Sequence, residues 1–239
     1  MTDDRWLRLR RWTAIIKLAL ALGGSLLFSL WLSVSCIPAW YDPPTVAEAD
    51  LPRIRAAVPN AYQSFTDRVV NGAPFTFTLR AAELNEWIAA RDALWPDARG
   101  TVPGWLHGPV IAFERDRIIL AARVTSGSTN AVVSARFAIT ASADTVEIRL
   151  VGIAVGALPL PRSLLPNDFE RQVRDWLDRA NLPMDRPTTG DGDRAGLRPP
   201  LTDGIRIPNR FHWSNGRRDF RLVGITSRDG SVNLTVEPQ

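Results

Sequence analysis

Glu83 and Glu86 lie three positions apart in a stretch of helical spacing. That puts two carboxylates on one helix face, the arrangement used in general acid–base chemistry and sugar cleavage. Solvated charges at this spacing are far commoner than catalytic pairs. Asp116, in a polar turn, is a further acidic candidate for hydrolysis. His107 and His212 are the only histidines, and neither has a second ligand at metal spacing, so they read as a loop residue and an outward strand residue. Asp191, Gly192 and Asp193 spell part of a calcium loop without its closing glutamate. The Gly-x-Ser-x-Gly elbow of serine hydrolases and glycine-rich phosphate loops are absent. Cys36 is the only cysteine, which excludes an intrachain disulfide and every Cys-rich zinc site. Asn233, Leu234 and Thr235 spell a glycosylation acceptor but read as strand. The expectation is a non-enzymatic domain with no cofactor and no metal.

The large aromatics offer binding rather than reaction. Trp87, Trp95, Trp105, Trp176 and Trp213 are mostly explained by core and sheet packing. An apolar ligand groove would be lined by Trp87 together with Leu165, Phe169, Val173 and Trp176, the last four on one stripe of a helix expected over 161–180.

Charge distribution decides which partners are open to the chain. The net charge is +4 and the pI near 10.1, but residues 1–17 hold five cations (Arg5, Arg8, Arg10, Arg11, Lys17) against Asp3 and Asp4, a net +3. Removing these from the 29 cations and 25 acids leaves 24 and 23, a near-neutral remainder without the basic footprint of nucleic-acid binding. After this segment, residues 18–37 carry no charge. Twenty helical residues at ~1.5 Å each span the ~30 Å hydrocarbon layer. The cations precede the span, so the positive-inside rule keeps the N-terminus in the cytoplasm and sends residues 38–239 across. Trp6 and Trp12 flank it inside, Trp40 and Tyr41 outside, and Pro38 ends the helix. The competing reading is a signal peptide cut before Cys36, with a lipid on that thiol as the anchor.

The elements that would position a site follow. Val58, Tyr62, Phe65 and Val69 recur at helical spacing, with Pro59 in the first turn and Asn71–Gly72 at the close. Residues 75–80 alternate as a strand, Leu84, Trp87, Ile88 and Leu94 return to helical spacing, and 97–109 reads as a loop. Four alternating runs around 110–113, 118–124, 133–141 and 146–153 predict an antiparallel meander, with the helix 161–180 as its cover. Residues 186–200 read as a flexible excursion. Runs at 205–213, 220–225 and 232–236, joined at Asn215–Gly216 and Asp229–Gly230, are expected to rejoin the same sheet. The fold class is therefore α+β: a transmembrane helix, then an antiparallel meander packed on amphipathic helices.

Three segments carry a family likeness: 75–88, with Glu83-Leu84-Asn85 on its helix; 151–161, ending Gly-Ala-Leu-Pro-Leu-Pro; and 207–236. Together they resemble the YpmS-like group of bacterial proteins, which implies an N-terminal membrane helix and an extracytoplasmic domain but brings no catalytic residues. The excursion 186–200 departs from that group's compact pattern. In architecture alone the chain also resembles tubular lipid-binding domains. The expected role is a membrane-anchored binding or assembly module of the cell envelope that meets lipid or an envelope protein. The alternatives are an envelope glycan or lipid hydrolase using an acidic residue, and a structural subunit of a membrane complex.

Overall fold

The computed structural model describes residues 3–96, 105–126, 129–161, 204–214 and 217–239; in the first helix the side chains described are those at 17, 18 and 20–35. That helix, α1, is Asp3–Ser35. It begins well before the uncharged run and stops three residues short of Pro38. Leu20, Leu22, Leu26, Leu27, Phe28 and Trp31 are all exposed, on every side of it. Among the described residues no helix is long and apolar enough to cross a membrane.

The second helix, α2, is Leu51–Asn71. It starts eight residues before the proline that the pattern put in its first turn: Pro52 occupies that place and Pro59 lies inside the helix. Ile54 and Val69 are fully buried, so packing along the whole face carries the helix past the donor that Pro59 lacks. Gly72 closes α2 in the left-handed region, φ 76°, its N–H donating to Val69 O at 3.2 Å.

Strand β1 is Phe75–Arg80, followed by α3 Ala81–Ala89 and the single turn α4 Arg91–Leu94. The meander is present: β2 Leu106–Glu114, β3 Arg117–Ser126, β4 Thr129–Ala141 and β5 Thr145–Val155 pair antiparallel in sequence order. β6 Leu158–Leu160 and β7 Ile205–Pro208 share the outer edge of β5, pairing with its last and first residues. His107 is therefore a strand residue, not a loop residue; Gly108 at φ 52° and Pro109 sit where the β2–β3 register shifts, and made the segment read as loop.

The last three strands do not rejoin this sheet. The run 205–213 breaks at Asn209: β7 stays with the meander, while β8 Phe211–Trp213, β9 Arg218–Arg228 and β10 Ser231–Pro238 form a second sheet with β1, ordered β1-β10-β9-β8. Every residue of β1 has an antiparallel partner in β10, from Phe75 opposite Val236 to Arg80 opposite Ser231, so the first strand of the chain is fastened to its last. α2 covers this sheet through Phe65, whose ring lies 4.9–5.5 Å from Phe75, Phe77, Trp213 and Phe220. Trp213 Nε1 donates to Thr66 Oγ1 at 3.0 Å, which satisfies its one polar atom. The Asp229–Gly230 turn joins β9 and β10 as expected.

Two asparagines bind the sheets' exposed backbone. Asn85 of α3 takes both main-chain groups of Ile111 on edge strand β2, accepting from its N–H at 2.7 Å and donating to its carbonyl at 2.9 Å. Buried Asn209 does the same to Leu222 of β9, at 2.8 and 2.7 Å, and also donates to Ser142 O. Each carboxamide stands in for a missing neighbour strand. Ser227 ties the β9–β10 hairpin to the β2–β3 hairpin by donating to Glu114 O and Arg117 O. The proposed helix 161–180 and the excursion 186–200 lie outside the described residues.

Candidate functional site

Where α1 ends, the chain does not run free. Ala157 N–H, in the β5–β6 turn, donates to Ser33 O at 2.8 Å, satisfying a carbonyl that the helix end leaves open. Gly156, at φ 58°, lies so close that a Cβ there would collide with the carbonyls of Ser33, Val34 and Cys36. Only glycine combines that φ with that approach. Tyr41 then sinks into the meander's face beside Val110, Ala121 and Val132, with Trp40 packed on this cluster. Its hydroxyl donates to Gly108 O at 2.7 Å. Burial pushes its phenol above the ordinary value, and Arg123 pulls the other way.

These contacts wall a cleft of about 330 Å³ between Pro38, Trp40, Arg136, Gly156, Ala157 and Pro159. Among the described residues Arg136 is the one charged side chain on its wall. It sits on β4 between Gly152 of β5 and Ile119 of β3, beside the point where the β4–β5 register shifts, so no side chain faces it from β5 and only an apolar one from β3. Among the described residues it has no ion-pair or hydrogen-bond partner. A guanidinium beside an indole, with no partner and no carboxylate among the described residues of the wall, suits an anion.

The residues singled out from sequence are scattered. Glu83 pairs with Arg80 at 3.2 Å and Glu86 with Arg53 at 3.1 Å. They are therefore two separate surface salt bridges rather than an acid–base pair. Asp116 is in the β2–β3 turn, φ 57°, with its N–H donating to Ser227 O at 3.2 Å. Trp87 is half-buried in α3 and does not line the cleft. Leu165, Phe169, Val173 and Trp176 lie outside the described residues, as do Asp191 and Asp193. Cys36 is exposed just past α1. Asn233 accepts from Thr78 Oγ1 at 2.7 Å across the β1–β10 pair. No group of His, Cys, Asp and Glu among the described residues could hold a metal ion.

Sequence reasoning missed one charged cluster. Asp219 Oδ2 accepts from Arg210 Nε and Nη2, both at 2.7 Å, and Oδ1 faces His212 Nδ1 at 2.8 Å. The signal was there: a two-residue turn expected from the Asn215–Gly216 sequence predicts His212 opposite Asp219, which is the register observed. Hydrogen bonds from His212 and then Arg210 hold the Asp219 carboxyl below the usual carboxylate range. An aspartate orienting a histidine is half of a nucleophile-activating triad, but Asp219 is the only hydrogen-bond partner His212 has among the described residues. A depressed folded value means that the stabilisation is present above the unfolded value of ~3.9 and lost as pH falls through the folded one. Melting curves from pH 7 to pH 3 are expected to fall less steeply for Asp219→Asn than for the parent chain; parallel acid limbs would show that the cluster adds nothing.

No known protein family, no curated protein and no solved structure matches this chain. The YpmS-like resemblance thus remains a likeness of short motifs.

Proposed function

We propose that the chain is a single-pass membrane protein whose extracytoplasmic α+β domain is a non-enzymatic binding or assembly module of the cell envelope. The observation that carries the reading is α1. Leucines and aromatics on all its sides are exposed, a surface that costs about 25 cal/mol per Å² in water and nothing in hydrocarbon. The uncharged run 18–37 has the length of a span and the cations before it set the orientation. Docking of Ser33 and Val34 on Gly156 and Ala157 favours the retained helix over a cut before Cys36, because the cut would remove those carbonyls. The separated acids and the unaccompanied His212–Asp219 pair favour binding over hydrolysis.

In carbonate-washed membranes at pH 11 the chain is expected in the pellet, with an intact mass beginning at its N-terminal residues. Release into the supernatant, or a mature chain beginning at a lipid-bearing Cys36, would sink the reading.

A further inference from the structure

We infer that the cleft at the end of α1 is a headgroup site that holds the phosphate of a phospholipid from the membrane in which α1 sits; this rests on the anchor reading. The cleft is made from the helix exit itself. Pro38 and Trp40 follow the last turn by a few residues, and Gly156 and Ala157 touch its carbonyls. A helix whose uncharged run ends at residue 37 leaves that turn at the outer boundary of the hydrocarbon, where the headgroup layer is ~5–7 Å deep. Arg136 and the Trp40 ring therefore stand at the depth of lipid phosphates.

The chemistry fits that depth. Arg136 offers a planar fork of donors that matches phosphate oxygens. Among the described residues no acidic side chain lines the wall to compete for it. On the β5 side its neighbour is Gly152, whose Cβ direction is open space, and on the β3 side it is the apolar Ile119, so the fork has room for a ligand on the β5 side. Trp40 gives a flat apolar wall against which glycerol and the first methylenes of a lipid can lie, the usual use of tryptophan at this interface. Acyl chains would then continue along the exposed leucines of α1 into the bilayer. A soluble phosphate compound lacks that second set of contacts.

The test uses the full-length chain in mild detergent, with native mass spectrometry after addition of phosphatidylglycerol or of phosphate-free dioleoylglycerol. The parent is expected to retain phosphatidylglycerol over dioleoylglycerol. Arg136→Gln is expected to weaken phosphatidylglycerol roughly five- to tenfold and to leave dioleoylglycerol unchanged, with Arg136→Lys between. Equal retention by the parent and Arg136→Gln overturns the proposal. So does displacement of the lipid by millimolar inorganic phosphate, which would make the site one for soluble anions. If Arg136→Gln is misfolded by circular dichroism, the Arg136→Lys comparison decides by the same criterion. Carbonate extraction of the same membranes separates the two readings: a chain that stays in the pellet with no Arg136 dependence overturns the headgroup site alone, whereas release overturns the anchor with it.

Discussion

Phe220→Ala is expected to lower the stability of the domain by about 3–4 kcal/mol. Phe220 is buried on central strand β9 of the second sheet, and its ring lies within 5.3–6.3 Å of Phe65, Phe211 and Trp213. Removing it takes away the apolar area and opens a hole between α2 and three strands. That hole has little prospect of closing, since the surrounding rings are held by their own contacts and by the Trp213–Thr66 hydrogen bond. In urea the midpoint should move by more than about 1 M. Val223, three residues along the same strand and exposed, provides the control: Val223→Ala should shift stability by less than about 0.5 kcal/mol. Equal shifts for the two variants would mean that α2 does not pack on this sheet as described.

The second large effect belongs to a polar residue. Asn209→Ala is expected to cost about 2–4 kcal/mol, because it strips partners from Leu222 N–H, Leu222 O and Ser142 O at once in a buried place. The variant has a local signature. Hydrogen exchange at the Leu222 amide should accelerate well beyond what the global loss of stability accounts for, while β10 amides paired with β9 follow the global change. A Leu222 amide that stays as protected as its β10-paired neighbours would show that another acceptor takes over and that Asn209 does not join β9 to the meander.

Much of the architecture could be read from the sequence because it rests on local periods. Alternation in β2 to β5 reports one buried face per strand, and a meander needs only short turns to follow from it. The Asp229–Gly230 hairpin is local in the same sense. Partition into two sheets was not legible, since the pairing of β1 with β10 joins segments about 155 residues apart and neither strand's pattern names its partner. Asn209 hides the division further: a polar residue in an apolar run looks like an outward strand position, whereas it leaves the first sheet and is buried against the second. Asn85 stands in a family-like motif, but its grip on β2 is illegible for the same reason: a half-buried carboxamide on a helix has no periodic signature. The start of α2 was misjudged because the prolines between 38 and 52 resemble a linker, and only the buried Ile54 shows where packing begins. At the cleft, Trp40 fits an interfacial aromatic by sequence, and Arg136 lies inside the alternating run 133–141 with nothing to single it out. Their meeting depends on the turn at Gly156, which brings a distant hairpin against the helix exit.

The joint between α1 and the β5–β6 turn sets how far the domain can act. A flexible linker of n residues would let a tethered domain roam roughly 5–6 Å × √n from its anchor point. Here Tyr41 is already buried in the meander six residues after α1 ends, so there is no swivel to provide such roaming. With α1 in a bilayer the domain becomes a fixed post: anything it meets has to come within its own height of the membrane, and a rotation of the helix about its axis turns the sheets by the same angle. Two such posts held side by side through their helices would present faces in a set phase, and altering that phase by a few residues of helical register would change which faces look at each other.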